Sequence, residues 1–372
     1  MMESFPDKVD FLLVGGGHAH VNLIYNLRKK LTQKETILLV SEDNYQYYSG
    51  MASGFLEGIY SLEEMTFNLP KMCQEHGISF IKGKVTRIDT TSQKIWIDHQ
   101  HTVGYQYLSL DIGSRIARPT FTLNIKNHLP IKPWSNLTMI KEWMFKANPN
   151  DCWILIGGGA AGVEIAFALR AGFEKMEKKG INITIIHRYA DILKDYPVKT
   201  RKKIIQYLER KNITIQCNSQ ITQVFETAIT LNNQETIPYQ KIIFTTGPIA
   251  PGLFEGTGLK LDNKGYMLVD PNLRSISNPF VFGAGDCIGF EDYPNIKKAG
   301  VYAVRQASYL CENLVMLNEG KELKAYYPQQ DYLSIMSLGH KKAILHYKGL
   351  YWLGMWPWKI KNWIDMKFVK KS

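Results

Sequence analysis

Apolar residues run together at Val9-Asp10-Phe11-Leu12-Leu13-Val14, stop at Gly15-Gly16-Gly17, and resume at helical spacing from Val21 to Leu31 before a second apolar run at Thr36 to Val40. A short apolar run closed by glycine predicts a buried strand, and the change of period predicts a strand-turn-helix-strand unit. The order recurs. Cys152 to Ile156 meets Gly157-Gly158-Gly159, then a helix from Ala161 to about Glu177 and a strand at Ile181 to Ile186. Each unit is βαβ and feeds a parallel sheet, so the class is α/β with a duplicated nucleotide-binding architecture. Between the copies, Ile78 to Ile97 alternates as short antiparallel strands do, and Asn127 to Trp134, with Pro130 and Pro133, reads as a linker.

Composition narrows the class. With 372 residues, 45% of them hydrophobic and 21% charged, the chain fits two to three globular domains and excludes disordered, collagen-like and disulfide-scaffold proteins. Cys73, Cys152, Cys217, Cys287 and Cys311 form no close pair, which argues against a zinc knuckle or a redox dithiol and fits a reducing compartment. Glu3 and Asp7 precede the first strand, unlike a secretory leader, and no run approaches the ~20 apolar residues of a membrane span. A cytoplasmic protein, free or peripheral on the cytoplasmic face of a membrane, is expected. The net charge of +11 favours an anionic partner: nucleic acid, lipid headgroups or a phosphate-rich cofactor.

The glycine loops carry the chemistry. Gly15-x-Gly17 has the first two glycines of the dinucleotide fingerprint, one for the tight turn and one for close approach of a pyrophosphate to a helix start, with Gly16 between them. His20 stands at the third position, and Ser41 with Glu42 stands where a ribose-binding acid is expected. Such a loop alone also fits a glycine turn in an unrelated α/β fold. Gly157-x-Gly159-x-x-Gly162 is complete and lies between a strand and a helix. Its second strand ends at His187-Arg188 without a carboxylate, so Arg188 is either a 2′-phosphate contact for NADP or a solvated loop cation. The strand Asn278 to Gly283 ends in Gly285-Asp286, a carboxylate placed for a ribityl hydroxyl. Lys298-Ala299 opens a further helix whose dipole favours charge on a reduced flavin. FAD in the first loop and NAD(P)H in the second follow.

These residues resemble the two-dinucleotide-binding-domain flavoproteins of the pyridine nucleotide-disulfide oxidoreductase superfamily. More closely they resemble the flavoprotein domain fused to some selenide, water dikinases, and they are similar to type II NADH dehydrogenases. Val14 to His20, Tyr48 to Met51, Leu108 to Ser114, Gly157 to Glu164, Phe282 to Asp286 and Lys298 to Gln306 carry the resemblance over nearly the whole chain. It implies two Rossmann-like domains, the second inserted in the first: residues 1–118 and 250–325 for FAD, 119–249 for NAD(P), and a C-terminal segment, 326–372. It implies Glu164 as the catalytic acid near the flavin, and His18, Val85 and Gly247 join the candidate cofactor contacts. Quinone is the implied acceptor, although Gly300 and Val301 replace the Ala-Gln pair of the quinone pocket. A soluble selenium or sulfur acceptor is the alternative.

Other residues have plainer readings. Cys287 lacks a Cys-x-x-Cys partner and reads as core, and His18 and His20 read first as packing histidines in a helix's opening turn. Tyr45, Tyr47 and Tyr48 offer an aromatic wall beside the flavin or ordinary packing. The tail from Tyr351 to Lys371 holds four of the eight tryptophans and five lysines. A helix opened by Pro357 would put Ile360, Trp363, Ile364, Lys367 and Phe368 on one face with Lys361 off it. That face suits an anionic membrane through residues 350–371, core packing, or a homodimer contact. Nucleic acid is not expected, because two nucleotide folds already account for the chain.

Overall fold

The computed structural model describes residues 5–31, 34–117, 126–329 and 331–370, so the boundary expected at 118/119 and Lys371 lie outside the described residues. The first apolar run forms the strand Lys8–Val14, with parallel partners on both sides, Ile37–Ser41 and His101–Leu110. A strand paired along both edges and buried from Phe11 to Val14 has no wet side, which is why its sequence does not alternate. The sheet runs Ser79–Lys82, Ile37–Ser41, Lys8–Val14, His101–Leu110, Lys94–Ile97, Val85–Asp89, and Val281–Gly283 joins it parallel to His101–Leu110. The helices His18–Lys30 and Gly300–Asn318 lie side by side against it.

A second sheet is parallel throughout: His128–Pro130, Lys241–Phe244, Cys152–Ile156, Asn182–Ile186, Ile213–Gln216. Two expectations change here. The Asn127 to Trp134 linker is in part an edge strand, where Pro130 is tolerated because an outer N–H needs no ladder partner. Within Ile78 to Ile97 only Val85–Asp89 and Lys94–Ile97 pair antiparallel, whereas Ser79–Lys82 extends the first sheet in parallel. A four-residue run does not encode which open edge will take it.

The tail folds as an antiparallel sheet of Ser334–Ser337, Ala343–Tyr347 and Leu350–Gly354, followed by the helix Met355–Lys370. The helix begins two residues before Pro357, which sits in its first turn. Its outer face carries exposed Trp356, Ile360, Trp363, Ile364 and Lys367. Phe368 departs from the expected face and turns inward with Pro357, Lys361 and Asp365, which repeat at helical spacing on the opposite side. Phe368 and Val369 pack on the core of the first sheet, and Met366, Val369 and Tyr351 on that of the second. The tail therefore clasps both. No helix among the described residues is long and apolar enough to cross a membrane.

Candidate functional site

The first glycine turn is shaped by one buried carboxylate. Gly15 has φ +89° and an added Cβ would lie 2.4 Å from the Asp111 carbonyl oxygen, so only glycine fits. The Asp111 carboxylate accepts the backbone N–H of Ala19 at 2.8 Å and of His20 at 3.1 Å, satisfying donors that Gly17 leaves open at the helix start. Burial pushes the Asp111 carboxyl up to about 7, opposed by those two hydrogen bonds. His20 replaces the third glycine with a polar clamp. Its Nδ1–H donates to the Gly15 carbonyl at 2.6 Å, so Nε2 takes the Ser109 hydroxyl at 2.8 Å. Burial lowers this imidazole to about 4, and it stays neutral. Ser41 is buried at its strand end, and its carbonyl accepts the Gly83 N–H at 2.9 Å. Glu42 is exposed, 3.9 Å from Lys84 Nζ, and the Val85 side chain belongs to the core.

Opposite this turn, Gly285 (φ +74°) donates its N–H to the buried Gln306 side chain at 2.7 Å. Asp286 accepts Ser114 Oγ at 2.9 Å and Lys132 Nζ at 3.2 Å, so a lysine from the crossover between the sheets holds the carboxylate. The expected helix starts later than Lys298, at Gly300, with Ala299 as its N-cap and no side-chain cap. Lys298 lines this opening beside Gly285 and Asp286, with its charge already engaged by the protein. Its amine donates to the Ile288 carbonyl and lies 3.8 Å from the Tyr266 ring centroid. His18 faces the opening: burial lowers it to about 4, its Nε2 is buried without a protein partner, and a Cβ on Gly300 would lie 4.0 Å from that nitrogen. An orphaned donor, uncapped helix amides and a held carboxylate fit the flavin, ribityl chain and phosphates of FAD.

The second turn leaves its middle open. Gly157 (φ +122°) would place a Cβ 2.7 Å from the Thr245 carbonyl, and Gly162 would place one 1.9 Å from the Gly157 carbonyl. Gly159 meets nothing within 4 Å, which is the space a pyrophosphate needs, and Gly247 is equally unobstructed. His187 braces the loop: Gly158 N–H donates to its Nδ1 at 3.1 Å, and its Nε2–H donates to the Asp191 carbonyl at 3.1 Å. Thr245 does the same from the other side, donating to the Ile156 and Gly157 carbonyls at 3.1 Å each. Arg188 is exposed, its guanidinium 4.6 Å from the Tyr189 ring centroid.

Glu164 sits where the helix Ala160–Lys175 meets the segment at Ser53 and the tail. Its Oε1 accepts Ser53 Oγ at 3.0 Å and the Ser337 N–H at 3.0 Å. Burial raises its carboxyl, while the Lys361 ammonium opposes the rise. Lys361 donates to the Gly50 carbonyl and to Asp365 Oδ2 at 2.6 Å, and Tyr48 donates to the same carboxylate. Tyr48 also stacks on Phe368, centroids 4.6 Å apart, while Tyr45 is exposed. Lys132, Asp111, Lys361 and Asp365 escape sequence reading because each acquires its role from a distant partner. Polar Ser109 and Asp111 in an otherwise apolar strand end are a signal that was present. Cys287 is core: its buried thiol donates to the Ala284 carbonyl at 3.2 Å and is pushed up to about 12.

Among curated proteins, the type II NADH:quinone oxidoreductase of Staphylococcus saprophyticus is 21% identical over 347 residues, covering 85% of this chain and 84% of that protein. Ferroptosis suppressor protein 1 of Xenopus tropicalis is 23% identical over 368 residues, covering 94% and 91%. The structure of NDH2 from Plasmodium falciparum in complex with NADH superposes with a TM-score of 0.79 at 15% identity, covering 97% of this chain and 98% of that one. Residues 9–307 match the family described as pyridine nucleotide-disulphide oxidoreductase, and the chain belongs to it, an oxidoreductase whose cofactors are FAD and NAD(P)H.

Proposed function

We propose that this chain is an NAD(P)H:quinone oxidoreductase, with FAD held by residues 1–118 and 250–325 and the nicotinamide nucleotide by 119–249. FAD when bound supplies a hydride acceptor and then a two-electron donor. The buried group of Glu164, Lys361 and Asp365 carries the reading. A hydride brings two electrons and one proton, whereas a quinone leaves as a quinol with two protons, so the protein must deliver the second. Glu164, a carboxyl raised by burial and placed where its helix meets Ser53 and the tail, is suited to hold and pass that proton. Gly159 lets the nucleotide approach, and Asp286 with Ser114 and Lys132 holds the ribityl chain. The names of the staphylococcal and frog relatives support the same class.

Anaerobic mixing with NADH and with NADPH should bleach the flavin band in one turnover, and added quinone should restore it stoichiometrically. A flavin that is reduced but reoxidised by no quinone in a panel would sink the quinone assignment.

The tail adds the membrane. Trp356 is 75% exposed, Trp363 61%, Trp352 60% and Leu350 63%, and Lys359 and Lys367 lie 5.0 and 4.8 Å from the Trp356 and Trp363 ring centroids. Aromatic rings with adjacent lysines match the headgroup level of an anionic membrane, each lysine adding ~1 kcal/mol near the surface. Because the inner face of the helix is clasped to both cores, truncation is a poor test and outward substitutions are the right one. Replacing Trp356, Ile360 and Trp363 by serine should abolish cosedimentation with anionic vesicles and slow reoxidation by a lipid-embedded quinone. Reduction by NAD(P)H and reoxidation by a short-chain soluble quinone should be unchanged. Vesicle binding at wild-type strength would refute the surface, and a dimer-to-monomer change in its place would assign the face to a second copy.

A further inference from the structure

Gln46 fixes which nitrogen of His18 carries the proton. The Gln46 amide nitrogen lies 3.2 Å from the Tyr47 carbonyl oxygen and 3.4 Å from His18 Nδ1. A carbonyl only accepts, so this nitrogen is the NH2 end of the amide, and its second hydrogen is directed at Nδ1. Nδ1 therefore presents its lone pair, and Nε2 carries the hydrogen. That hydrogen is the one with no protein acceptor, on a buried nitrogen of a partly exposed side chain. Tyr48 and Phe368 flank the imidazole at centroid distances of 5.5 and 5.9 Å. Gly300 opens a 19-residue helix beside it, and no side chain caps that helix.

We propose that His18 is a flavin-tuning residue: its Nε2–H, held as the donor by Gln46, acts with the first amides of Gly300–Asn318 on the edge of the flavin that becomes negative on reduction. On reduction by hydride the ring gains two electrons and a proton at N5, which leaves one negative charge over N1 and the C2 carbonyl. A neutral donor aimed at that edge favours the reduced state. Asp286 and Lys132 act on the imidazole with opposite sign, and burial outweighs both, so it stays neutral down to about pH 4. Its influence is therefore that of a dipole, constant through the neutral range.

The inference rests on FAD occupying the first cradle, and spectroelectrochemical titration of the flavin-loaded protein separates the two. His18→Phe keeps a ring and deletes the donor. Its flavin should be about tenfold harder to reduce at equilibrium, a two-electron midpoint about 30 mV more negative. His18→Gln, which places an N–H near the same point, should recover most of the shift, and Gln46→Leu, which frees the tautomer, should show part of it. All shifts should be the same at pH 6 and pH 8. An unshifted midpoint in His18→Phe overturns the role. Weakened FAD binding with an unshifted midpoint overturns it too, by placing the N–H on the phosphate chain. A shift confined to pH 6 would make the imidazolium the active form and also refute the proposal. Should His18→Phe fail to fold, Gln46→Leu against His18→Gln decides alone: equal wild-type midpoints in both refute the tautomer lock. Wild-type protein that takes up no flavin refutes the cofactor assignment instead.

Discussion

Gly159→Val should leave the fold and the flavin intact and slow reduction by NAD(P)H by about 100-fold. Gly159 has φ −78° and ψ −178°, a backbone conformation open to any residue, and a Cβ there meets no protein atom within 4 Å. The new side chain starts in space that no protein atom occupies and intrudes on a ligand crossing the loop, and displacing a bound nicotinamide by about 1 Å is enough for a loss of ~10² in rate. Gly162→Ala is the contrasting variant, because its Cβ falls 1.9 Å from the Gly157 carbonyl oxygen and must distort the turn itself. Rapid-mixing absorbance with each nucleotide, beside the flavin-to-protein ratio and the melting temperature, makes the comparison. Unimpaired reduction in Gly159→Val would mean that the nucleotide does not cross this loop.

Lys361→Met should destabilise the protein by about 3–5 kcal/mol near neutral pH, the usual cost of leaving a buried carboxylate without its cation. The Lys361 side chain is 12% exposed and that of Asp365 6%, and the ammonium also faces Glu164. Burial holds the Asp365 and Glu164 carboxyls above their ordinary values even with the lysine present, and removing it raises them further. A carboxyl raised on folding binds more protons in the native state than in the unfolded one, so its contribution falls as pH rises. The defect should therefore grow from acid toward alkaline pH. Adding Asp365→Asn should relieve part of it, and quinone reoxidation should slow while NAD(P)H reduction is spared. Urea titrations at several pH values measure this directly, and a defect flat with pH would show that Lys361 acts only by packing.

What the chain reveals of itself depends on the range of the interaction. The two βαβ units were legible to within a few residues, because burial on both faces writes an unbroken apolar run and a tight turn demands glycine at Gly15 and Gly157. The departure at His20 was legible as an anomaly but not as a clamp, since its partners, Gly15 and Ser109, meet only when the sheet forms. The engagement of Lys298 was not legible for a related reason: its partners, the Ile288 carbonyl and the Tyr266 ring, meet it only in the fold. The tail shows the limit most clearly. Tryptophans at helical spacing disclosed one face, but Phe368 obeys Tyr48, and Lys361 obeys Gly50, Asp365 and Glu164, which periodicity cannot convey.

The order of strands also sets a timetable for synthesis. Every strand of the second sheet lies between His128 and Phe244, so that sheet can close as soon as those residues leave the ribosome. The first sheet cannot: the carboxyl end of His101–Leu110 waits for Val281–Gly283, and the helix His18–Lys30 waits for Gly300–Asn318. At ~5–20 residues per second, the nascent chain carries the unfinished edge at Leu108 and Leu110 for many seconds while the later sheet folds around its own core. The segment translated first is thus completed last, after every strand of the second sheet is already available.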